Sequence, residues 1–248
     1  MIASIFYISD RVQYYFQYNS RPNYGPIVGK RLNDAKKDSL ITQDIYTSIP
    51  RRIGKTNYSY VEIISKDLEK AIRISAFSDD ERGISEMRAI SESEERSWLS
   101  PGVTNIAFVN DNGKDTRLLI DNKCSIIRAD IPLYGDTLQK YIIYRIVFSD
   151  SDGDGRLTYH DESNLFISDL NGLKLRQICP DSISVSQLIK SFRRNKIIFR
   201  GLYKPKDISI PKNDWRDQIF TYDLQKDTLE LLLPNKTVLD LARRLLVN

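Results

Sequence analysis

The sequence predicts an all-β fold, a β-propeller-like array of about five short blades made of antiparallel sheets. Three observations predict it. Short apolar strands closed by Asp or Asn and a tight turn recur along the chain. The copies are spaced by roughly 45–60 residues, a propeller-blade period lengthened where loops are inserted. The 248 residues also include 14 Tyr and 9 Phe, which favour strands. We expect residues 1–248 to form a single domain.

Five copies of the recurring strand align on their closing Asp or Asn. They are residues 6–10, 62–70, 105–110, 164–169 and 218–226. In the later four copies, a second apolar strand follows the turn, at residues 71–77, 117–120, 173–178 and 228–233. The best-defined blades are predicted over residues 138–180 and 181–234, where strand, turn and strand follow one another most clearly.

The most specific pattern in the chain is the acidic loop, residues 150–161. It has the spacing of a twelve-residue EF-hand calcium loop, with acids at positions 1, 3, 5 and 12 and Gly155 at position 6. Because Ca²⁺ takes six to eight oxygen ligands, a short loop has to curl and direct alternate residues inward. The predicted ligands are the side chains of Asp150, Asp152, Asp154, Thr158 and Asp161 and the backbone carbonyl of Arg156.

The flanks of the acidic loop indicate a structural role. An EF-hand has a helix on each side, but residues 141–148 and 164–169 read as strands, so the loop joins two strands as a clip. Asp161 is one methylene shorter than the usual Glu, which predicts a weak-to-moderate affinity, nearer the roughly 10⁻⁴–10⁻³ M of extracellular modules than that of cytosolic buffers. The alternative interpretation is an acidic surface turn without a metal, since Asp, Gly and Ser are ordinary turn residues.

Three further segments carry predictions. The polar residues 19–44 contain several Pro, Gly and Asn and are predicted to be a loop. The charged residues 78–97 are interpreted as a solvated insertion, with a short helix as the alternative. Thr237 and Asp240 have capping-box spacing, which predicts a short C-terminal helix over residues 237–246.

The composition argues against several function classes. His160, the only histidine, lies inside the acidic loop, so we predict no catalytic residue of the Ser-His-Asp or Cys-His type. Cys124 and Cys179 provide neither a disulfide framework nor a zinc site, and their pairing is left open. The net charge of +4 is left over from 37 basic and 33 acidic residues, which argues against nucleic acid as a partner. The apolar runs are too short for a membrane span.

The run Tyr-Arg-Ile-Val-Phe, the run Asp-X-Asp-Gly-Asp-Gly and the run Asn-Leu-Phe-Ile-Ser-Asp-Leu-Asn-Gly follow one another in this chain. Together they resemble the blades of TolB-like β-propellers, some of which carry calcium-type loops between their middle strands. The resemblance covers residues 141–233. It implies a propeller fold, a binding role and a periplasmic or extracellular location, although residues 1–8 lack the features of a signal peptide.

These observations favour a binding module over an enzyme. We expect non-catalytic binding or scaffolding of a protein or glycan partner, with Ca²⁺ as a structural ion. The alternative is a hydrolase or lyase that acts on a glycan, because such chemistry needs only two acids that are close in space. The sequence singles out no such pair.

Overall fold

The computed structural model describes residues 25–37, 43–67, 99–133, 136, 139–189, 195–204 and 216–233. These residues contain one helix, α1 (Gly29–Lys37), and thirteen strands in three sheets. Every strand pair is antiparallel, so the prediction of an all-β protein made of antiparallel sheets is confirmed.

The three sheets follow one another along the chain. The first sheet contains β1 (Gln43–Thr47), β2 (Arg51–Arg52), β3 (Tyr58–Asp67), β4 (Val103–Asn110) and β5 (Thr116–Leu118). The second contains β6 (Ser125–Asp130), β7 (Tyr141–Val147), β8 (Asn164–Asp169) and β9 (Arg176–Gln177). The third contains β10 (Ile183–Ile189), β11 (Lys196–Tyr203), β12 (Arg216–Asp223) and β13 (Thr228–Leu231). In the second and third sheets each strand pairs with the next strand of the chain.

The second sheet lies between the other two, and both of its faces are buried. Ile142 and Tyr144 of β7 pack with Phe108 of β4 in the core between the first and second sheets. Leu165 of β8 packs with Phe199 of β11 in the core between the second and third. This double burial explains why β7 is a nearly continuous apolar run, whereas a strand with one solvated face alternates.

The tight turn predicted after β8 contains Asn171 and Gly172, and it is also a packing contact. Gly172 has a φ of 78°, and its amide donates to the carbonyl of Asp169 at 3.0 Å. A Cβ on Gly172 would lie 2.4 Å from the ring of Phe108. Glycine at this position therefore permits both the left-handed backbone and the close approach of the first sheet.

The prediction of a loop over residues 19–44 is wrong at residues 29–37 and 43–44, where α1 and the start of β1 lie. The helix has no apolar stripe that would reveal it, since Ala35 is its one buried residue. β6 and β10, the first strands of the second and third sheets, were not identified from the sequence. β6 precedes residues 138–180, the segment predicted as a blade, which contains the other three strands of the second sheet.

Several sequence predictions lie outside the described residues. They concern residues 6–10, 71–77, 78–97 and 237–246. In the described part of the chain, no helix has the length and apolar character needed to cross a membrane.

Because the second sheet lies between the other two, Ile→Ala should cost more folding stability in its core than at an exposed position of the first sheet. Ile146 of β7 is fully buried, whereas Ile45 of β1 is 65% exposed. Ile146→Ala should lower the free energy of unfolding by about 2–5 kcal/mol, because it leaves a cavity in the core. Ile45→Ala should change it by less than about 0.5 kcal/mol. Urea denaturation of both variants measures the difference, and equal costs would contradict the packing of the first sheet on the second.

Candidate metal centre

Three carboxylates converge on the acidic loop between β7 and β8. The side chains of Asp150, Asp152 and Asp154 each offer an oxygen, and these oxygens lie within 4.8 Å of one another. Asp150 is half-buried, and the other two are exposed. Because the loop curls, acids at alternate positions of the sequence point to the same side, as the spacing predicts.

Backbone amides of the loop orient these carboxylates. Each carboxylate accepts a hydrogen bond from an amide two to five residues further along the chain. The donors are Gly153 and Gly155 to Asp150, Asp154 to Asp152, and Arg156 to Asp154, at 2.7–3.1 Å. Hydrogen bonds to ionised acceptors are strong, so the backbone holds the three side chains in place.

Gly155 is required by the curl of the loop. Its φ is 79°, in the left-handed region that favours glycine. A Cβ at this position would also lie 2.9 Å from the Cβ of Arg31 on α1. The helix therefore lies against the loop at Gly155.

Asp161 closes the loop and is almost fully buried, at 2% exposure. Its Oδ1 accepts hydrogen bonds from the amide of Ser151 at 2.6 Å, the hydroxyl of Ser151 at 3.2 Å and the amide of Asp152 at 3.3 Å. Its Oδ2 accepts one from the amide of Thr158 at 2.7 Å. Asp161 thus joins the two halves of the loop, and it is not one of the three carboxylates whose oxygens lie within 4.8 Å of one another. Arg156 and Thr158, the other predicted ligands, are buried in the second half of the loop.

The surroundings of Asp152 disfavour its negative charge. Partial burial raises the pKa of Asp152, and repulsion from the carboxylates of Asp161, Asp154 and Asp150 raises it further, against the hydrogen bond from the Asp154 amide. A raised pKa means that the ionised form of Asp152 is less favourable in the folded chain than in the unfolded one. A cation at the cluster would offset this cost.

The donor set fits a hard cation. All three clustered side chains offer carboxylate oxygens, the ligand type that suits Ca²⁺, Mg²⁺ and Mn²⁺. Softer ions such as Zn²⁺ in structural sites prefer Cys and His. The three carboxylates could therefore bind a hard metal ion.

A buried arginine fixes the base of the loop. Arg145 of β7 donates from Nε to the hydroxyl of Ser163 at 2.7 Å and from Nη1 to the carbonyl of Ser186 at 2.8 Å. Ser163, which follows the loop, in turn exchanges two 2.7 Å hydrogen bonds with the backbone of Val185 on β10. The loop is therefore attached to the third sheet. Sequence reasoning missed this role, although an arginine inside an apolar strand was a visible signal.

The two cysteines are free thiols in different cores. Cys124 is buried between the first and second sheets, and Cys179 between the second and third. Burial raises the pKa of Cys124 to about 12 and that of Cys179 to about 11. Thiolates are the reactive form of cysteine, so both residues are suited to packing and poorly suited to nucleophilic chemistry.

The sequence matches no protein-family model and no curated protein. The geometry of the acidic loop is accordingly the basis for the function proposed below.

The same Asp→Asn substitution at two positions should distinguish the role of Asp161, which closes the loop, from the role of Asp152 in the carboxylate cluster. Asp161→Asn places an amide group among buried backbone donors, so it should cost about 1–3 kcal/mol of folding stability. Asp152→Asn removes a disfavoured charge but keeps an oxygen for the Asp154 amide, so it should leave stability unchanged or raise it. Thermal unfolding in excess chelator measures both. A loss of stability in Asp152→Asn as large as that in Asp161→Asn would contradict these roles.

Proposed function

We propose that this protein is a non-catalytic binding or scaffolding β-propeller of the TolB-like type, with Ca²⁺ bound at the acidic loop as a structural ion. The observation that carries the proposal is the carboxylate cluster of Asp150, Asp152 and Asp154, held on a loop whose base is hydrogen-bonded to the neighbouring sheet. Because the loop is attached to another sheet, an ion bound at the cluster would stabilise the folded domain as a whole and would not merely order a surface turn.

The order of the sheets supports a propeller. The second and third sheets are four-stranded antiparallel meanders, which is the form of a propeller blade. Successive sheets contact one another in chain order, since β4 contacts β6 and β8 contacts β10. Propellers bury the faces of neighbouring blades in this way, and they use the scaffold for many unrelated functions.

The choice of Ca²⁺ follows from the type and spacing of the donors. Calcium accepts six to eight oxygens in flexible geometry, whereas Mg²⁺ demands a near-ideal octahedron and retains several waters. A short loop with three clustered carboxylates suits the more tolerant ion. The carbonyl of Arg156 and the side chains of Thr158 and Asp161 are the further ligands that the spacing predicts.

A binding role suits the chemistry of the described residues better than catalysis does. The raised pKa values of Cys124 and Cys179 disfavour a thiolate nucleophile. The His160 ring lies against that of Tyr159, with 3.9 Å between the ring centroids, inside the loop assigned to the ion. The partner that we propose is a protein or a glycan.

Calcium should stabilise the whole domain, because only the folded loop brings the three carboxylates together. A ligand that binds the native state alone adds about 2.7 kcal/mol at a concentration one hundred times its Kd. The melting temperature of the wild type should therefore rise with calcium and fall again with chelator. The double variant Asp152→Asn/Asp154→Asn should lose this response.

The matched control is Asp121→Asn/Glu230→Gln, which makes the same change of charge at two exposed positions away from the loop. It should keep the full calcium response. A calcium-induced shift that survives in the loop variant, or that is absent from the wild type, would contradict the proposal. Calorimetric titration with calcium and with magnesium then gives the affinity and the preference between the two ions.

A further inference from the structure

Residues 25–28 run alongside the second half of the acidic loop. Ile27 and Arg156 form an isolated antiparallel bridge. The amide of Val28 donates to the carbonyl of Gly155 at 2.9 Å, and the amide of Leu157 donates to the carbonyl of Pro26 at 3.0 Å. A segment far away in the sequence thus pairs with the loop by its backbone, in the manner of a very short strand.

The contact between residues 25–28 and the loop is close and buried. Ile27 and Leu157 are both buried, and the buried Arg156 donates from Nη1 to the carbonyl of Gly25 at 3.3 Å. A Cβ on Gly25 would lie 2.0 Å from the carbonyl oxygen of Leu157. Contacts this short leave space for glycine alone, so the segment is fitted to the loop.

The same segment is held by the first sheet. Gln43 of β1 accepts a hydrogen bond from the amide of Ile27 at 2.9 Å and donates to the carbonyl of Gly25 at 3.2 Å. Its side-chain amide also donates to the hydroxyl of Ser65 on β3 at 2.8 Å. One glutamine therefore connects residues 25–28 to two strands of the first sheet.

We infer that residues 25–28 are a brace that ties the first sheet to the acidic loop of the second sheet, and that an ion bound by the loop tightens this tie. The second half of the inference rests on the proposed calcium site. The brace itself stands on the contacts of Ile27, Val28 and Gln43, which do not involve an ion.

The physical link between the ion and the brace is the peptide backbone around Gly155. Its amide donates to Asp150, and its carbonyl accepts from Val28. The next amide, that of Arg156, donates to Asp154. An ion that immobilises Asp150 and Asp154 also immobilises the peptide groups with which the brace pairs. Coupling between two sites is reciprocal, so a damaged brace should also weaken ion binding.

Amide hydrogen exchange, read by NMR, tests the brace. The variants are Gln43→Ala and, as a control, Thr47→Ala, an exposed residue of the same strand. Without calcium, Gln43→Ala should make the amides of Val28 and Leu157 exchange about tenfold faster, because the brace loses its attachment to the first sheet. Thr47→Ala should leave them unchanged. Gly25→Ala disrupts the contact of the brace with Leu157 of the loop, so it should accelerate exchange of the same amides. It replaces Gln43→Ala if that variant does not fold.

Calcium provides the second arm of the experiment, at about 0.15 M salt so that interactions between distant surface charges are screened. Calcium should slow exchange at residues 25–28 and 155–158 of the wild type but only at residues 155–158 of Gln43→Ala. The calcium Kd of Gln43→Ala, measured by calorimetry, should rise severalfold.

Three outcomes would each overturn a different part of the inference. Unchanged exchange of Val28 and Leu157 in both Gln43→Ala and Gly25→Ala would overturn the brace. Calcium binding that protects the loop but not residues 25–28 would overturn the coupling and leave the calcium site standing. Absence of calcium binding in the wild type would overturn the calcium site and the coupling together, while the accelerated exchange without calcium would still support the brace.

Discussion

The arrangement of this protein around its acidic loop depends on the repulsion among three carboxylates. Two unit charges 4 Å apart interact by about 4 kcal/mol at the effective dielectric constant of a protein surface. The oxygens of Asp150, Asp152 and Asp154 lie within 4.8 Å of one another, so holding them together is costly unless something compensates. Loop amides supply part of the compensation through hydrogen bonds. A cation would supply the rest, and this need for positive charge is the basis of the calcium proposal.

The position of the loop determines which parts of the protein are affected when its carboxylates are compensated. Through Arg145 and Ser163, the base of the loop is bonded to the third sheet. Through residues 25–28 and Gln43, its second half is bonded to the first. The loop itself connects the two middle strands of the second sheet. One short segment is thus a junction of all three sheets, and its order or disorder is expected to affect their packing.

The sequence predicted those features that depend on local chemistry. The alternating acids and Gly155 gave the curl of the loop, and the Asn-Gly pair gave the turn after β8, because short-range spacing determines both. It did not predict α1, the brace or the role of Gln43. Those depend on contacts between residues far apart in the chain, such as Ile27 with Arg156, which a single sequence does not reveal. The ligand role of Asp161 stays a prediction from its spacing, and the hydrogen bonds by which it closes the loop are a further feature that the spacing did not reveal.

A structure from crystals grown with calcium far above the expected Kd of about 10⁻⁴–10⁻³ M is the most direct test of the acidic loop as an ion site. We expect an ion with six to eight oxygen ligands at about 2.3–2.6 Å, among them oxygens of Asp150, Asp152 and Asp154. The anomalous signal of calcium should coincide with that position, and residues 25–28 should be ordered against the loop. Clear density for an ordered loop without an ion at that calcium concentration would contradict the central claim.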